Sequence, residues 1–174
     1  MSKGFTLFEV LVIIFIISFL SVAILFNYRT SQDQASLTRS AAAFESEIRK
    51  AQNLAVAGVD FSGAIPCGYG LLYIDNRTYR IYVGRLNGAV NCQSANHNYQ
   101  SGTDLIYQEL KIIESGVIFG TSFSDVFFEP PDPATYINNN KSVGISQTIQ
   151  LCLEKDLTKC RNLTIDTAGR IATQ

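Results

Sequence analysis

FTLFEVLVIIFIISFLSVAILF, residues 5–26, is the stretch that decides the fold, because it is almost wholly apolar and carries one charged residue, Glu9. A helix of about 20 apolar residues is long enough to cross the hydrocarbon core of a bilayer. Lys3 is the only basic residue before this stretch, and the positive-inside rule puts that end in the cytoplasm. The sequence therefore predicts a transmembrane helix over residues 5–26, with the rest of the chain outside the cytoplasm.

The composition of the 174-residue chain allows one globular domain plus one long appendage. Fourteen basic and 15 acidic residues give a formal charge of -1. Such a balance produces no overall electrostatic field that would attract nucleic acid. Nucleic acid is therefore not an expected partner on bulk charge.

Glu9 is the unusual residue of the apolar stretch, because a carboxylate inside a membrane span costs about 2–3 kcal/mol. It is therefore expected to have a partner. Cleavage between Gly4 and Phe5 would create an α-amino group that a neighbouring copy could offer to Glu9. At about 4 Å and an effective dielectric constant near 20, the pair gains about 4 kcal/mol. This favours helices packed side by side, whereas in the plainer alternative Glu9 reaches the interface of an ordinary signal anchor.

Residues 4–9, GFTLFE, resemble the prepilin-type cleavage and methylation motif, which has Gly before the cut and Glu at the fifth mature position. The resemblance extends to about Ala55, although Phe8 stands where Ile is commoner. It implies that a prepilin peptidase removes a leader, residues 1–4, after Gly4 and methylates the new terminus at Phe5. It also implies that Glu9 sets the register between assembling subunits.

The segment 27–58 is predicted to continue the helix as an amphipathic stretch into the head. Apolar residues recur there three and four positions apart, as on one helix face: Leu37, Ala41, Phe44, Ile48, Ala51 and Ala55. Charged residues lie opposite them: Arg39, Glu45, Glu47, Arg49 and Lys50. Packing of this face on a sheet is favoured over a coiled coil. The helix is predicted to end at Gly58.

The head, residues 59–174, is predicted to be rich in antiparallel strands joined by turns. Seven short runs have β-type composition: 69–74, 79–83, 105–113, 117–119, 126–128, 148–153 and 163–165. The proline-rich and asparagine-rich stretch 130–140 is predicted to be a long exposed connection, either disordered or in contact with a partner.

Four cysteines, Cys67, Cys92, Cys152 and Cys160, are expected to form structural disulfides in an exported domain, since their spacing fits no zinc or redox motif. Three pairings are possible. Local pairing is favoured, Cys67 with Cys92 and Cys152 with Cys160, and the alternative is free buried thiols. The lower entropy of the unfolded chain stabilises the fold by about 3.5 kcal/mol for the longer loop, Cys67–Cys92, and about 2.6 kcal/mol for the shorter, Cys152–Cys160.

Two further stretches, 44–55 and 163–171, look like those of H-type minor pseudopilins of type II secretion and of FimT-like minor pilins. Some FimT-like pilins bind DNA through several C-terminal arginines. Here Arg170 stands alone and is a weak DNA-binding candidate. A turn with a solvated charge is the stronger interpretation of Gly169-Arg170.

An enzyme is not expected, because the one histidine, His97, lies in a polar loop and is predicted to be at the surface. No catalytic triad, phosphate loop or zinc signature is present in the sequence, and no cofactor or metal is expected. Four carboxylates, Asp104, Glu109, Glu114 and Asp125, could approach one another through folding, and calcium there stays an open alternative.

The resulting prediction is an α+β pilin fold, with a long N-terminal transmembrane and amphipathic helix packed on a C-terminal antiparallel β-rich head. The predicted function is a structural, minor subunit of a type IV pilus-like or type II secretion pseudopilus filament. Expected partners are the prepilin peptidase, other pilin or pseudopilin subunits, the inner-membrane assembly platform and the membrane itself. The chain would be a single-pass membrane protein before assembly and part of the filament afterwards. The alternatives are an uncleaved membrane-anchored binding domain outside the cytoplasm and a DNA-uptake minor pilin.

Overall fold

The computed structural model of the protein describes residues 6–63, 66–112, 114–131 and 134–173, with residues 23–29 described by their backbone alone. It divides the chain into two compact units, Met1–Ala35 and Ser36–Gln174. The predicted boundaries after residues 4, 26 and 58 stay predictions. The predicted cleavage and methylation positions, Gly4 and Phe5, lie outside the described residues.

The helix α1 runs over Leu7–Val56 and supplies its Ser36–Val56 part to the second unit. All six apolar residues of the predicted face, from Leu37 to Ala55, are buried there in one core with residues of the strands. The helix ends in a Schellman motif, in which the Gly58 N–H donates to Ala55 O and the Val59 N–H donates to Leu54 O. Gly58 has a φ of 56°, the left-handed conformation that such a C-terminal cap requires.

The predicted fold class, with a transmembrane helix packed on a head, is wrong as stated. In the part of the chain that the structure describes, no helix is long and apolar enough to cross a membrane. The apolar composition of residues 5–26 was the basis of the prediction, but α1 runs on into the polar sequence TSQDQAS at residues 30–36. The second unit is mostly antiparallel sheet and contains α1 only from Ser36 onward. The predicted single-pass membrane localisation is corrected on the same finding.

The described strands of the second unit form two antiparallel sheets. The first sheet has the order β3-β2-β1-β5-β6, with β1 at Gly68–Tyr73, β2 at Thr78–Gly84, β3 at Leu105–Lys111, β5 at Val126–Glu129 and β6 at Ala134–Ile137. The second sheet has the order β4-β7-β8-β9, with β4 at Val117–Phe119, β7 at Ser146–Leu153, β8 at Asp156–Asp166 and β9 at Ile171–Thr173. A short 3₁₀ helix occupies Cys92–Ser94.

Each of the seven predicted β-type runs overlaps a strand, whereas β6 and β9 were missed. The stretch predicted as one long exposed connection contains β6, which pairs antiparallel with β5 from Val126↔Ile137 to Glu129↔Ala134. β6 is only four residues long and is flanked by turn-forming prolines and asparagines, so the local composition predicted a turn instead of a strand. Residues 132 and 133 lie outside the described part.

The outer face of the first sheet carries a second, smaller apolar cluster, made of Cys67, Tyr82, Phe127 and Tyr136. Glycines on neighbouring strands make room for its rings. A Cβ atom at Gly70 would lie within about 2.6 Å of three Tyr82 side-chain atoms, and one at Gly84 within the same distance of two Phe127 ring atoms. The rings can therefore lie flat on the sheet, under the segment that connects β2 to β3.

Candidate functional site

The first candidate site is the N-terminal apolar surface, defined as the large apolar side chains of residues 7–22 of α1. Their exposed fractions range from 38% at Val12 to 84% at Leu7. They are Leu7, Phe8, Val10, Leu11, Val12, Ile13, Ile14, Phe15, Ile16, Ile17, Phe19, Leu20 and Val22. An exposed apolar surface of this extent marks a contact with another apolar surface, since isolated soluble chains rarely display one.

Glu9 lies at the start of this surface and has partners within its own chain. The Thr6 Oγ1 accepts from the Glu9 N–H at 3.3 Å, and the Thr6 N–H donates to the Glu9 carboxylate at 3.4 Å. This reciprocal pair is a capping box, which satisfies backbone donors at a helix N-terminus. The spacing Thr-x-x-Glu at residues 6–9 is the sequence signal of this capping box, and the prediction of a partner in a neighbouring copy did not include it.

The two serines among residues 7–22, Ser18 and Ser21, bond to the backbone of their own helix. The Ser18 hydroxyl donates to Ile14 O and the Ser21 hydroxyl donates to Ile17 O, both at 2.8 Å. Bonds of this kind within one helix leave a hydroxyl with less need of an external partner. Glu9 is the one charged residue among residues 7–22.

The cysteines form the two local disulfides favoured from the sequence. Cys67 is joined to Cys92, and Cys152 is joined to Cys160. The first bond ties the segment after β2 to the start of β1, beside the outer aromatic cluster. The second lies across the β7–β8 pair, where Cys152 and Cys160 stand opposite each other in the register. Both bonds hold parts of the head together, and neither contributes to the N-terminal apolar surface.

Arg170, the weak DNA-binding candidate, lies in the turn between β8 and β9 with 82% of its side chain exposed. Its guanidinium donates to the Asp166 carboxylate at 2.8 Å. That hydrogen bond is the main reason why the pKa of Asp166 is lowered. The charge of Arg170 is thus paired with Asp166 within its own turn, and a role of Arg170 in DNA binding stays a prediction.

The four carboxylates considered for a calcium site serve separate local purposes. Asp104 accepts from the Gln100 N–H at 2.7 Å, and Asp125 accepts from the Tyr99 N–H at 2.7 Å. Glu109 pairs with Arg80, and Glu114 pairs with Arg39. No group of three or more metal-ligating side chains occurs among the described residues.

The second candidate site is a buried polar cluster around His97, which was wrongly predicted to be at the surface. The His97 side chain is only 3% exposed, and its ring stacks on Tyr136 with centroids 3.6 Å apart. The His97 Nδ1 lies 3.1 Å from Asn139 Oδ1, which also accepts from the His97 N–H. The Tyr136 hydroxyl donates to the buried Glu129 carboxylate at 2.8 Å. The polar composition of residues 96–99 gave no signal of this burial, because the contacts come from β5, β6 and the residues after β6.

Comparisons with family models, with curated proteins and with solved structures found no match to this chain. They give no support to the predicted membrane and pilin character, and the membrane prediction is corrected above. The two predicted disulfides are present. The resemblance of residues 4–9 to a prepilin motif stays a prediction.

Proposed function

We propose that the protein is a structural subunit of a filament, of the type IV pilus-like or type II secretion pseudopilus kind, in which copies pack through the N-terminal apolar surface. One observation carries this proposal: every large apolar side chain described between residues 7 and 22 is exposed in the single chain. Burying a side chain such as Phe or Leu contributes about 1.5–3 kcal/mol. A helix that is apolar on all sides needs neighbours on all sides, which a bundle of identical helices provides.

The start of the helix supports the same arrangement. Thr6 and Glu9 close the first turn as a capping box, so the helix is well formed up to its first residues. In the proposed filament, the α-amino group created by peptidase cleavage after Gly4 would reach Glu9 of a neighbouring copy. A minor role within the filament and the assembly platform as a partner belong to the same proposal, which rests on the prepilin-type motif.

The processing step is tested by the N-terminal mass of the full chain, expressed in hosts with and without a prepilin peptidase. We expect a terminus at Phe5 in the first host and an intact leader in the second. Gly4→Glu should retain the leader in both hosts, whereas Ser2→Ala should be cleaved like the unaltered chain. An intact leader in the peptidase-containing host would overturn the processing part of the proposal.

The packing step is tested by replacing one exposed apolar side chain. Phe15 is 69% exposed, and Phe15→Ser should weaken association by roughly 10- to 150-fold, the equivalent of the 1.5–3 kcal/mol that a buried Phe contributes. The amount of sedimenting filament at increasing subunit concentration measures this. Val143→Ser is the matched control, because it removes a fully exposed apolar side chain from the head. Equal assembly of the two variants would refute packing through the N-terminal apolar surface.

A further inference from the structure

The buried polar cluster around His97 holds one loop of the head onto another, which gives it a mechanical role independent of the proposed filament. We call the contact between residues 96–99 and residues 138–141 the latch. It contains the bond from the His97 N–H to Asn139 Oδ1 at 2.9 Å and the bond from Asn98 Nδ2 to Asn138 Oδ1 at 3.0 Å. The latch joins the segment that covers the first sheet to the turn that follows β6.

The latch covers aromatic side chains of the outer cluster. The Tyr82 hydroxyl donates to His97 O at 2.6 Å, and the His97 ring lies edge-on to Phe127 with centroids 5.1 Å apart. Tyr82 and Phe127 are almost completely buried. If residues 96–99 moved away, these rings would become exposed to solvent on the outer face of the sheet.

His97 is held as a neutral ring in this position. A hydrogen bond between Nδ1 and Asn139 Oδ1 requires the proton on Nδ1, because an amide oxygen only accepts, and in a neutral ring this leaves Nε2 without a proton. Nε2 is buried and has no hydrogen-bond partner in the described part of the chain. The nearest carboxylate oxygen, on Glu129, lies 3.9 Å away and already accepts from the Tyr136 hydroxyl. A second proton on Nε2 would place a cation among aromatic rings, beyond hydrogen-bond distance of the Glu129 carboxylate.

The other titratable groups around His97 have opposite effects on its protonation. Lys141 lies 5.2 Å from the centre of the Tyr136 ring and opposes a positive charge on the histidine, while Glu129 favours one. Burial outweighs Glu129 and lowers the pKa of His97. Tyr82 and Tyr136 stay neutral at any pH at which histidine titrates, because their pKa values are raised.

Two carboxylates beside the latch, Asp125 and Asp104, accept hydrogen bonds from the backbone of the loop that contains His97. Asp125 bonds the Tyr99 N–H, and Asp104 bonds the Gln100 N–H. Burial raises the pKa of Asp125, so protonation of this group on acidification favours the folded state and acts in the opposite direction to His97.

We propose that His97 makes the latch acid-sensitive: protonation of Nε2 opens the contact between residues 96–99 and 138–141 and exposes the aromatic face of the first sheet. An open loop gives the histidine its ordinary pKa near 6.5. The closed latch prefers the neutral ring, so it is fully stable above pH 6.5 and loses stability as the pH falls toward the pKa of the closed state. Each unit by which the pKa of His97 in the closed latch lies below that in the open loop increases the opening equilibrium constant by up to tenfold at acidic pH.

The test uses the full chain dispersed in a non-ionic detergent. Because the chain has one histidine, the imidazole resonances in a pH titration belong to His97 alone. Hydrogen exchange of residues 96–99 and 138–141, corrected for intrinsic rates, is followed from pH 7.5 to 5.0. We expect the pKa of His97 to lie below 6.5. Between pH 7.5 and 5.0 the protection of the latch should fall by up to tenfold for each unit by which that pKa lies below 6.5. Residues 146–153 in β7 serve as the internal reference and should keep their protection.

The matched variant is His97→Phe, which keeps a ring for stacking on Tyr136 and removes the titrating group. Its latch protection should vary far less with pH than that of the unaltered chain. If this variant does not fold, agreement between the histidine titration and the exchange midpoint in the unaltered chain decides the matter. A histidine pKa at or above 6.5, or the same loss of protection in His97→Phe, would overturn the proposal.

Discussion

Phe44 is the side chain whose removal should most clearly show that α1 stabilises the second unit. It is 2% exposed, and its ring meets those of Tyr79 at 4.9 Å and Phe119 at 5.3 Å between centroids. Truncating a buried Phe to Ala costs about 3–5 kcal/mol through lost burial and the cavity left behind. We expect Phe44→Ala to lower the free energy of unfolding of the head by that amount.

The measurement is urea unfolding at neutral pH with both disulfides intact, followed by far-ultraviolet circular dichroism. Phe44→Leu should cost roughly 1–2 kcal/mol, because it retains most of the apolar surface. Arg49→Ala is the control on the solvent side of the same helix. It removes an exposed ion pair with Glu45 at 2.7 Å, and such helix pairs contribute about 0.3–0.5 kcal/mol.

The test is the order in which the three variants lose free energy of unfolding, because this order does not depend on the absolute stability of the head. A loss of stability in Phe44→Ala no greater than that in Arg49→Ala would refute a main contribution of Phe44 burial to the stability of the head. A large loss in Phe44→Ala with an equally large loss in Phe44→Leu would mean that the ring contacts with Tyr79 and Phe119, rather than apolar burial, dominate at this site.

Two further predictions concern alkaline pH and the disulfides. Burial raises the pKa of Tyr79 above its usual value near 10, so its contribution to stability is complete below pH 10 and is lost as the pH rises. Tyr79→Phe should therefore lose less stability than the unaltered chain in urea unfolding between pH 9 and 11, and equal slopes would contradict this. Replacing Cys67 and Cys92 by serine should cost about 1 kcal/mol more than replacing Cys152 and Cys160, because the loop is longer, 25 residues against 8. Thermal unfolding of the two double variants compares them, and the reverse order would show that local packing outweighs loop closure.

The sequence predicted the parts of the fold in which one local pattern decides the structure. The spacing of Leu37, Phe44 and Ile48 identified the buried face of α1, because a side chain every three or four residues returns to the same side of a helix. Gly58 identified the end of the helix, because its left-handed conformation favours a residue without a side chain. The β-type runs located seven of the nine described strands.

The features that the sequence missed are short strands beside turns and the burial of His97, which contacts with distant residues produce. β9 is only three residues long and forms an edge of the second sheet, beside β8. His97 is buried by Tyr136 and Asn139, which follow it by about 40 positions in a stretch that was predicted to be an exposed connection. Glu9 differs, because its partner Thr6 was only three residues away and its capping signal was readable.

Two stretches of α1 differ in how their apolar residues are arranged around the helix. Between Leu37 and Ala55 the buried residues lie on one face, and charged residues such as Arg39 and Arg49 occupy the other. Between Leu7 and Val22 the apolar residues surround the helix, and all of them are exposed. A one-sided apolar stripe needs one neighbour, which the strands of the same chain supply. An all-round apolar surface needs several neighbours at once, so a partner on one side would leave most of it uncovered. Packing among several copies of the helix, as in the proposed filament, would remove this surface from water, whereas a simple dimer would leave most of it exposed.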